Sequence, residues 1–192
     1  MSNETEVPVM APTSTPEATP AAPPAYFIST QRAHSHSMTI DISRVTSRAP
    51  EFSAVFLWLS SLTAADTVRL SITDSGAAAV GFCDHLALLN TLLICSGTLI
   101  GVVDHMYMGL DSYFMLACNR LDVSPLGMLA IPSTISGDLE TLPEKDAAVA
   151  QCAQVLLENG LRMRVLTEEE IEQLQRCETV VLQPGQLAKR VE

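Results

Sequence analysis

Short apolar strands and amphipathic helices alternate along most of this 192-residue chain, and this alternation restricts the fold more than any other feature. Val68–Thr73 is rich in β-branched residues, and Ala79–Leu93 repeats apolar residues at the spacing of one helical face. Thr98–Val103 then returns to an apolar strand. Because strand, helix and strand in this order form βαβ units, the sequence predicts an α/β fold with a mostly parallel sheet.

Similar patterns extend the alternation toward both ends of the chain. Gly160 occupies the predicted C′ position of one helix, and Thr167 with Glu170 forms a capping-box pattern before another. A chain of 192 residues is long enough for one domain and too short for two of typical size. The remaining strands are predicted at Tyr26–Ser29, Met38–Ile42, Met128–Ile131 and Thr179–Leu182, and the remaining helices at Glu51–Thr63, Leu110–Asn119 and Lys145–Asn159.

The first 25 residues differ in composition from the rest. They hold six of the eleven prolines, together with Ala, Thr, Ser and Glu, and hardly any large apolar side chains. Such a segment buries too little surface to offset the entropy lost on ordering. We therefore predict a disordered tail, residues 1–25, and one folded domain, residues 26–192. The start of the chain lacks the basic and apolar regions of a secretory signal, so we expect a cytoplasmic protein.

The charge balance restricts the partners. Lys and Arg number 11 against 22 Asp and Glu, and the resulting net charge of −11 repels nucleic-acid phosphates and anionic lipid headgroups. Leu86–Val103 carries no formal charge over eighteen residues, which approaches the length of a membrane span. Polar residues such as Asn90 and Ser96 interrupt it, and no Lys or Arg flanks it. We expect a buried helix, turn and strand there, with neither nucleic acid nor membrane as a partner.

The apolar content predicts self-association. Hydrophobic residues make up 47% of the chain, and the mean hydropathy is +0.24. Apolar surface that a lone domain leaves exposed invites association unless a specific interface covers it. Six apolar residues fall outside the predicted core faces, namely Leu88, Leu92, Met106, Met108, Tyr113 and Met115.

Metal and cofactor chemistry has little support in the sequence. The five cysteines are scattered without close pairs, which predicts reduced thiols in the core. His34 and His36 could project together from a strand and bind a metal, but no third ligand lies near them in the sequence. We interpret the two histidines as an exposed loop and expect no metal and no cofactor.

Three short motifs carry a family resemblance. They are Asp74-Ser75-Gly76-Ala77, Tyr107-Met108-Gly109 and the proline Pro125. In order and spacing they resemble the glycine loop, the nucleophile turn and the proline of the proteolytic subunit of the Clp protease, within the wider crotonase-like superfamily. The resemblance covers roughly residues 39–191, including Lys145–Gly160 as the handle helix, and implies a ββα spiral fold with seven-membered rings.

The chain departs from that family at its catalytic positions. Tyr107 stands at the serine nucleophile, Pro132 or a neighbour in Ala130-Ile131-Pro132 at the histidine, and Glu178 at the acid of the triad. The positions equivalent to the oxyanion loop are Gly76, Ala77 and Met108, and the Cβ of Ala77 restricts positive φ where the family has a second glycine. The resemblance therefore implies a catalytically silent subunit.

The implied partners are copies of the chain itself in a ring of six or seven or a double ring, active Clp-type subunits, and an ATP-driven (AAA+) unfoldase. A viral or phage assembly protein of the same fold fits the sequence equally well.

Two alternatives stay open. One is an active serine peptidase with a rearranged site, built from His105 and Ser112. The other is a crotonase-like protein that binds an acyl group or coenzyme A. Coenzyme A requires basic residues near its phosphates, and between residues 68 and 132 the chain offers only Arg69 and Arg120.

Overall fold

The computed structural model describes residues 25–44, 52–73, 82–132, 143–176 and 178–191. A larger sheet has the strand order β1-β2-β3-β4-β6, and a smaller sheet has the order β5-β7-β8. The strands are β1 (Tyr26–Arg32), β2 (Ser35–Asp41), β3 (Thr67–Thr73), β4 (Thr98–Val103), β5 (Met106–Met108), β6 (Arg120–Val123), β7 (Met128–Ile131) and β8 (Val180–Leu182).

The pairing is mostly parallel. The antiparallel pairs are β1 with β2 and β7 with β8, while β2, β3, β4 and β6 run parallel in the larger sheet and β5 runs parallel to β7. The predicted α/β fold with a mostly parallel sheet is confirmed, in the form of two sheets. The tail predicted for residues 1–25 lies outside the described residues except for Ala25.

Helices cover the sheets and complete the core. Phe52, Val55 and Leu59 of α1 are buried, and α2 packs against both α1 and α4. α3 lies against β4, β5 and β7. The helices are α1 (Phe52–Ser61), α2 (Phe82–Ile94), α3 (Leu110–Leu116), α4 (Pro143–Arg162), α5 (Glu168–Gln175) and α6 (Pro184–Val191).

The prediction that six apolar residues lie outside the core is wrong for four of them. Leu88, Leu92, Tyr113 and Met115 are buried. Helices α2 and α3 both pack against α4 as well as other elements of the core, so each buries more than the single face that the sequence pattern suggested. Of the six, Met106 and Met108 remain exposed.

Gly160 does not end its helix as predicted, because α4 continues to Arg162. A Cβ at Gly160 would come within 2.9 Å of Cδ1 of Leu166, so the missing side chain makes room for the following segment to fold back. The left-handed residue that redirects the chain is Arg164, with φ 62°. Gly160 therefore serves close packing rather than termination.

The uncharged stretch at residues 86–103 folds as the second part of α2, a turn and β4, as predicted. No helix in the part of the chain that the structure describes has the length and apolar character needed to cross a membrane.

Candidate functional site

The candidate site lies where the chain passes from the larger sheet to the smaller one. The pairing of β3 with β4 extends to Leu70 and Gly101, and β5 begins three residues after β4 ends. The hydroxyl oxygen of Tyr107 on β5 lies 3.3 Å from the carbonyl oxygen of Ile72 on β3 and 3.1 Å from that of Val102 on β4. Tyr107 therefore links the two sheets at this point.

This environment makes Tyr107 a poor nucleophile. The ring is buried, and burial, together with the negative charge of Asp104, raises the pKa of the Tyr107 hydroxyl well above its usual range. The single proton of this phenol is shared among the carbonyl oxygens of Ile72 and Val102 and the carboxylate of Asp104. A phenol that stays protonated in this way is a poor group to attack an acyl carbon. The residue at the nucleophile position thus has a structural role.

Asp104 forms a small polar cluster with two neighbours. Its Oδ1 lies 2.6 Å from Nδ1 of His105 and 3.1 Å from the hydroxyl of Tyr107. A carboxylate only accepts hydrogen bonds, so both neighbours donate. Burial acts to raise the pKa of Asp104, but these two hydrogen bonds lower it below its usual value. The rings of His105 and Tyr107 lie 4.1 Å apart, and the His105 side chain is exposed whereas Tyr107 is buried.

The other two triad positions lie at one end of the smaller sheet. The register pairs Tyr107 with Leu129 and Ile131 with Val180, so Pro132 and Glu178 both lie just beyond the β7–β8 ladder. The carbonyl of Pro132 accepts a hydrogen bond of 3.0 Å from Tyr113, whose pKa burial raises to about 12. Glu178 is exposed beside Arg176. Because Pro132 has no ionisable side chain, the histidine position supplies no base for a triad.

Ser112, the alternative nucleophile, is fully buried in α3. Its Oγ donates a hydrogen bond of 2.6 Å to the carbonyl of Gly109. A hydroxyl that is buried and already donating cannot meet a substrate. The structure therefore argues against a peptidase site rebuilt from His105 and Ser112.

The turn between β5 and α3 is open. Gly109 has φ 64° and ψ −128°, and a Cβ built at this position would meet no atom within 4 Å. Its amide donates to the carbonyl of Ala130 at 3.2 Å, and α3 starts without a side-chain cap. Met108 before it is exposed and Leu110 after it is half-buried. Gly76 and Ala77 lie outside the described residues, so Met108 is the described member of the predicted oxyanion group.

The interpretation of His34 and His36 as an exposed loop is wrong for His36, which lies in β2 and is half-buried. Both histidines contact a third residue that the sequence did not indicate. Oδ1 of Asp66 accepts hydrogen bonds from Nδ1 of His34 at 2.8 Å and from Nε2 of His36 at 3.4 Å. Hydrogen bonds from the side chain and amide of Thr63, and then from His34, lower the pKa of Asp66 well below its usual range. Among the described residues, no group of three His, Cys, Asp or Glu side chains is arranged to hold a metal ion.

A second concave region lies apart from the Gly109 turn. It is a groove of about 620 Å³ between α2 and α4, with Leu93 and Ile94 on one side and Cys152 and Val155 on the other. Glu158 and Arg162 are among its polar lining residues. None of the triad positions lines this groove, so it does not belong to the candidate site.

No family model matches the chain, and no curated protein is similar to it in sequence. Solved structures of similar fold include ThnE from S. clavuligerus (TM-score 0.52, 15% identity, 85% of this chain and 71% of that one). Enoyl-CoA hydratase EchA8_6 from Mycobacterium marinum gives a TM-score of 0.51 at 12% identity, with 86% of this chain and 80% of that one covered. The enoyl-CoA hydratase from Bacillus anthracis gives 0.50 at 9% identity.

These similarities define the fold class. The chain has the crotonase-like fold of the enoyl-CoA hydratases. The match covers 82% of this chain and 65% of the Bacillus anthracis enzyme, so the chain spans just under two thirds of that protein. The predicted resemblance to the crotonase-like superfamily is therefore confirmed for the fold. The narrower resemblance to the Clp proteolytic subunit gains no support from these structures.

Proposed function

We propose that the protein binds an acyl ligand by its carbonyl group at the turn formed by Met108, Gly109 and Leu110, without hydrolysing peptides. The observation that carries this proposal is the open, left-handed turn at Gly109. A backbone without a Cβ lets a ligand approach the turn closely. The amide of Gly109 already donates to the carbonyl of Ala130, so the donors for a ligand are the first amides of α3, which lack acceptors within the helix.

The surroundings of the turn suit a neutral ligand with an apolar chain. Met108 and Leu110 flank Gly109 and present thioether and aliphatic surface. A carbonyl oxygen can accept backbone hydrogen bonds while the acyl chain contacts apolar side chains, which is how apolar pockets with a few polar groups orient ligands. The solved structures of similar fold include proteins named enoyl-CoA hydratases, and this supports an acyl thioester as the ligand class.

The nucleotide part of coenzyme A has less support. Arg69 is paired with Asp122, and the register places both Arg69 and Arg120 beside Ile100. That position is in the first half of β4, away from the carboxyl end of the strand where the chain enters the candidate site. We propose that the protein recognises the acyl and pantetheine portion of the thioester rather than its phosphates.

The silent Clp-type subunit is the weaker hypothesis. It shares the expectation of no peptidase activity, which the positions of Tyr107, Pro132 and Glu178 support. The fold similarities favour the acyl-binding alternative over it. A ring with six or seven members, an unfoldase partner and a cytoplasmic location therefore remain predictions from the sequence.

A calorimetric titration with two thioesters tests the proposal. Butyryl-pantetheine and butyryl-CoA are expected to bind with dissociation constants within about threefold of each other, because the phosphates contribute less than about 1 kcal/mol. Tenfold tighter binding of the coenzyme A form would show that the nucleotide is recognised. Binding of neither thioester would refute the acyl-binding function.

A further inference from the structure

The groove between α2 and α4 changes from apolar to polar along its α4 side. Five of the α4 residues that line it follow each other at intervals of four and three, so they form one stripe on the helix surface. In chain order the stripe consists of Ala148, Cys152, Val155, Asn159 and Arg162. A ligand that matches this stripe has an apolar chain and a polar group at one end.

Two apolar side chains of the groove are exposed to solvent. Ile94 on the α2 side is 80% exposed, and Val155 on the α4 side is 41% exposed. Apolar surface inside a concave region gains free energy when the chain of a ligand covers it. The groove volume of about 620 Å³ falls within the range of roughly 300–1,000 Å³ that is typical of small-molecule sites.

Arg162, at the polar end of the stripe, is oriented by Asn159. Nε of Arg162 donates to Oδ1 of Asn159 at 3.0 Å, and Nη2 donates to the same oxygen. Asn159 is only 8% exposed, and its Nδ2 donates to the carbonyls of Leu116 and Cys118. Since a guanidinium has five N–H groups, three of those of Arg162 are left without a partner among the described residues.

The charge of Arg162 has no carboxylate partner in the described part of the chain. Glu158, one turn earlier and also in the groove lining, accepts a hydrogen bond of 2.8 Å from Gln154 and does not form the possible i,i+4 ion pair with Arg162. The chain has 22 acidic residues and a net charge of −11. An arginine that is held in place and yet not neutralised in such a chain favours an anionic ligand.

We propose that the groove between α2 and α4 binds a carboxylate with an unbranched apolar chain. The carboxylate binds Arg162, and the chain lies along Val155, Cys152 and Ala148. A carboxylate with one charge fits better than a doubly charged phosphate, because Glu158 and the net charge of the protein repel a second negative charge. The stripe rises about 21 Å along α4, at 1.5 Å per residue, which leaves room for an eight-carbon chain.

Calorimetric titration of the full chain with octanoate and with octan-1-ol tests this proposal. The two ligands have the same chain length and differ in the charge of the head group. We expect one octanoate to bind per chain, at least tenfold more tightly than octan-1-ol, because only the carboxylate forms charge-assisted hydrogen bonds with Arg162. A wild type that does not bind octanoate at millimolar concentration, or that binds both ligands equally, would overturn the proposal.

Two arginine variants locate the carboxylate. Arg162→Gln is expected to weaken octanoate binding at least tenfold and octan-1-ol binding less than twofold. Arg164→Gln removes the same charge from an exposed residue that does not line the groove, and it should weaken octanoate binding less than threefold. Equal weakening by both variants would contradict a specific contact with Arg162, since only the overall charge would then matter.

A third variant tests the apolar part of the groove. Arg162 lies in the last turn of α4, where a cation stabilises the helix, so circular dichroism checks that Arg162→Gln folds. Ile94→Gln changes an exposed residue of α2 and is expected to weaken both ligands at least threefold, and it decides the matter if Arg162→Gln does not fold. Unchanged octanoate binding in Ile94→Gln would show that the chain does not lie in the groove.

Nuclear magnetic resonance separates this proposal from the acyl-binding function. Octanoate is expected to shift the amides of Leu93 and Val155 in the groove and to leave those of Gly109 and Leu110 unchanged. Largest shifts at Gly109 and Leu110 would place the carboxylate at the turn and overturn the proposal. Butyryl-pantetheine carries no carboxylate, so the two proposals can fail independently.

Discussion

The hydroxyl of Tyr107 lies 3.1 Å from the carbonyl oxygen of Val102, and this contact joins the smaller sheet to the larger one. Tyr107 belongs to β5, whereas Val102 belongs to β4 near the point where the pairing with β3 has ended. The residue that replaces a nucleophile thus supplies a hydrogen-bond donor just beyond the end of the β3–β4 pairing.

The Tyr107→Phe variant should be less stable than the wild type by about 1–2 kcal/mol, because buried carbonyls lose their donor. Urea unfolding measures the difference. Tyr26→Phe is the matched control, since among the described residues no hydrogen bond to the Tyr26 hydroxyl is present, and its change should stay within about 0.5 kcal/mol. Equal stability of Tyr107→Phe and wild type would show that the sheet junction does not depend on this hydroxyl.

Replacement of Gly109 by Ala tests the strained turn. An L side chain at φ 64° and ψ −128° costs about 1–3 kcal/mol even where the space is open. Gly185→Ala is the control, because a Cβ there also meets no atom within 4 Å and α6 gains helix propensity of up to about 1 kcal/mol. Thermal unfolding should therefore show opposite signs for the two variants. A shift in the same direction for both would remove the argument that the backbone at Gly109 requires glycine.

Acid should weaken the attachment of the β1–β2 hairpin to the turn before β3. The folded state lowers the pKa of Asp66, so its contribution to stability is present above about pH 4, the range of an unfolded Asp, and is lost as the pH falls through the lower folded value. Asp66→Asn should lower the melting temperature at pH 7 and make its decline between pH 5 and pH 2 shallower. A decline of unchanged slope in the variant would mean that Asp66 does not contribute to the acid dependence.

Much of the fold follows from local sequence signals. The alternation of elements and the capping box of Thr167 and Glu170 depend on neighbours a few residues apart, and the structure contains both. By contrast, Asp66 lies 32 residues from His34, and Gly160 packs against a segment that folds back beyond its helix. Contacts of this kind depend on tertiary structure, and periodicity carries no signal for them.

The same distinction between local signals and tertiary contacts applies to the residues of the candidate site. The ring contact between His105 and Tyr107 joins residues two apart in the sequence, although His105 precedes β5 and is exposed whereas Tyr107 is buried. The link from the Tyr107 hydroxyl to Ile72 requires the larger sheet to be assembled. The burial of Ser112 likewise depends on how α3 packs, so the sequence alone could not separate a hidden hydroxyl from an accessible one.

We expect neither hydrolysis of fluorogenic peptides above background nor labelling by a fluorophosphonate probe. The hydroxyls of Tyr107 and Ser112 are buried and already donate hydrogen bonds. Labelling followed by gel fluorescence reads this out directly. Strong labelling of the wild type that disappears in Ser112→Ala would establish an active serine at α3 and contradict the account of the site.

The most direct test of the acyl-binding function is a nuclear magnetic resonance titration of the ¹⁵N-labelled chain with butyryl-pantetheine. We expect saturable shifts that are largest at the amides of Gly109, Leu110 and Asp111, with little change at Leu93 and Val155 in the groove between α2 and α4. Saturable shifts centred on that groove, or no shifts at millimolar thioester, would contradict it.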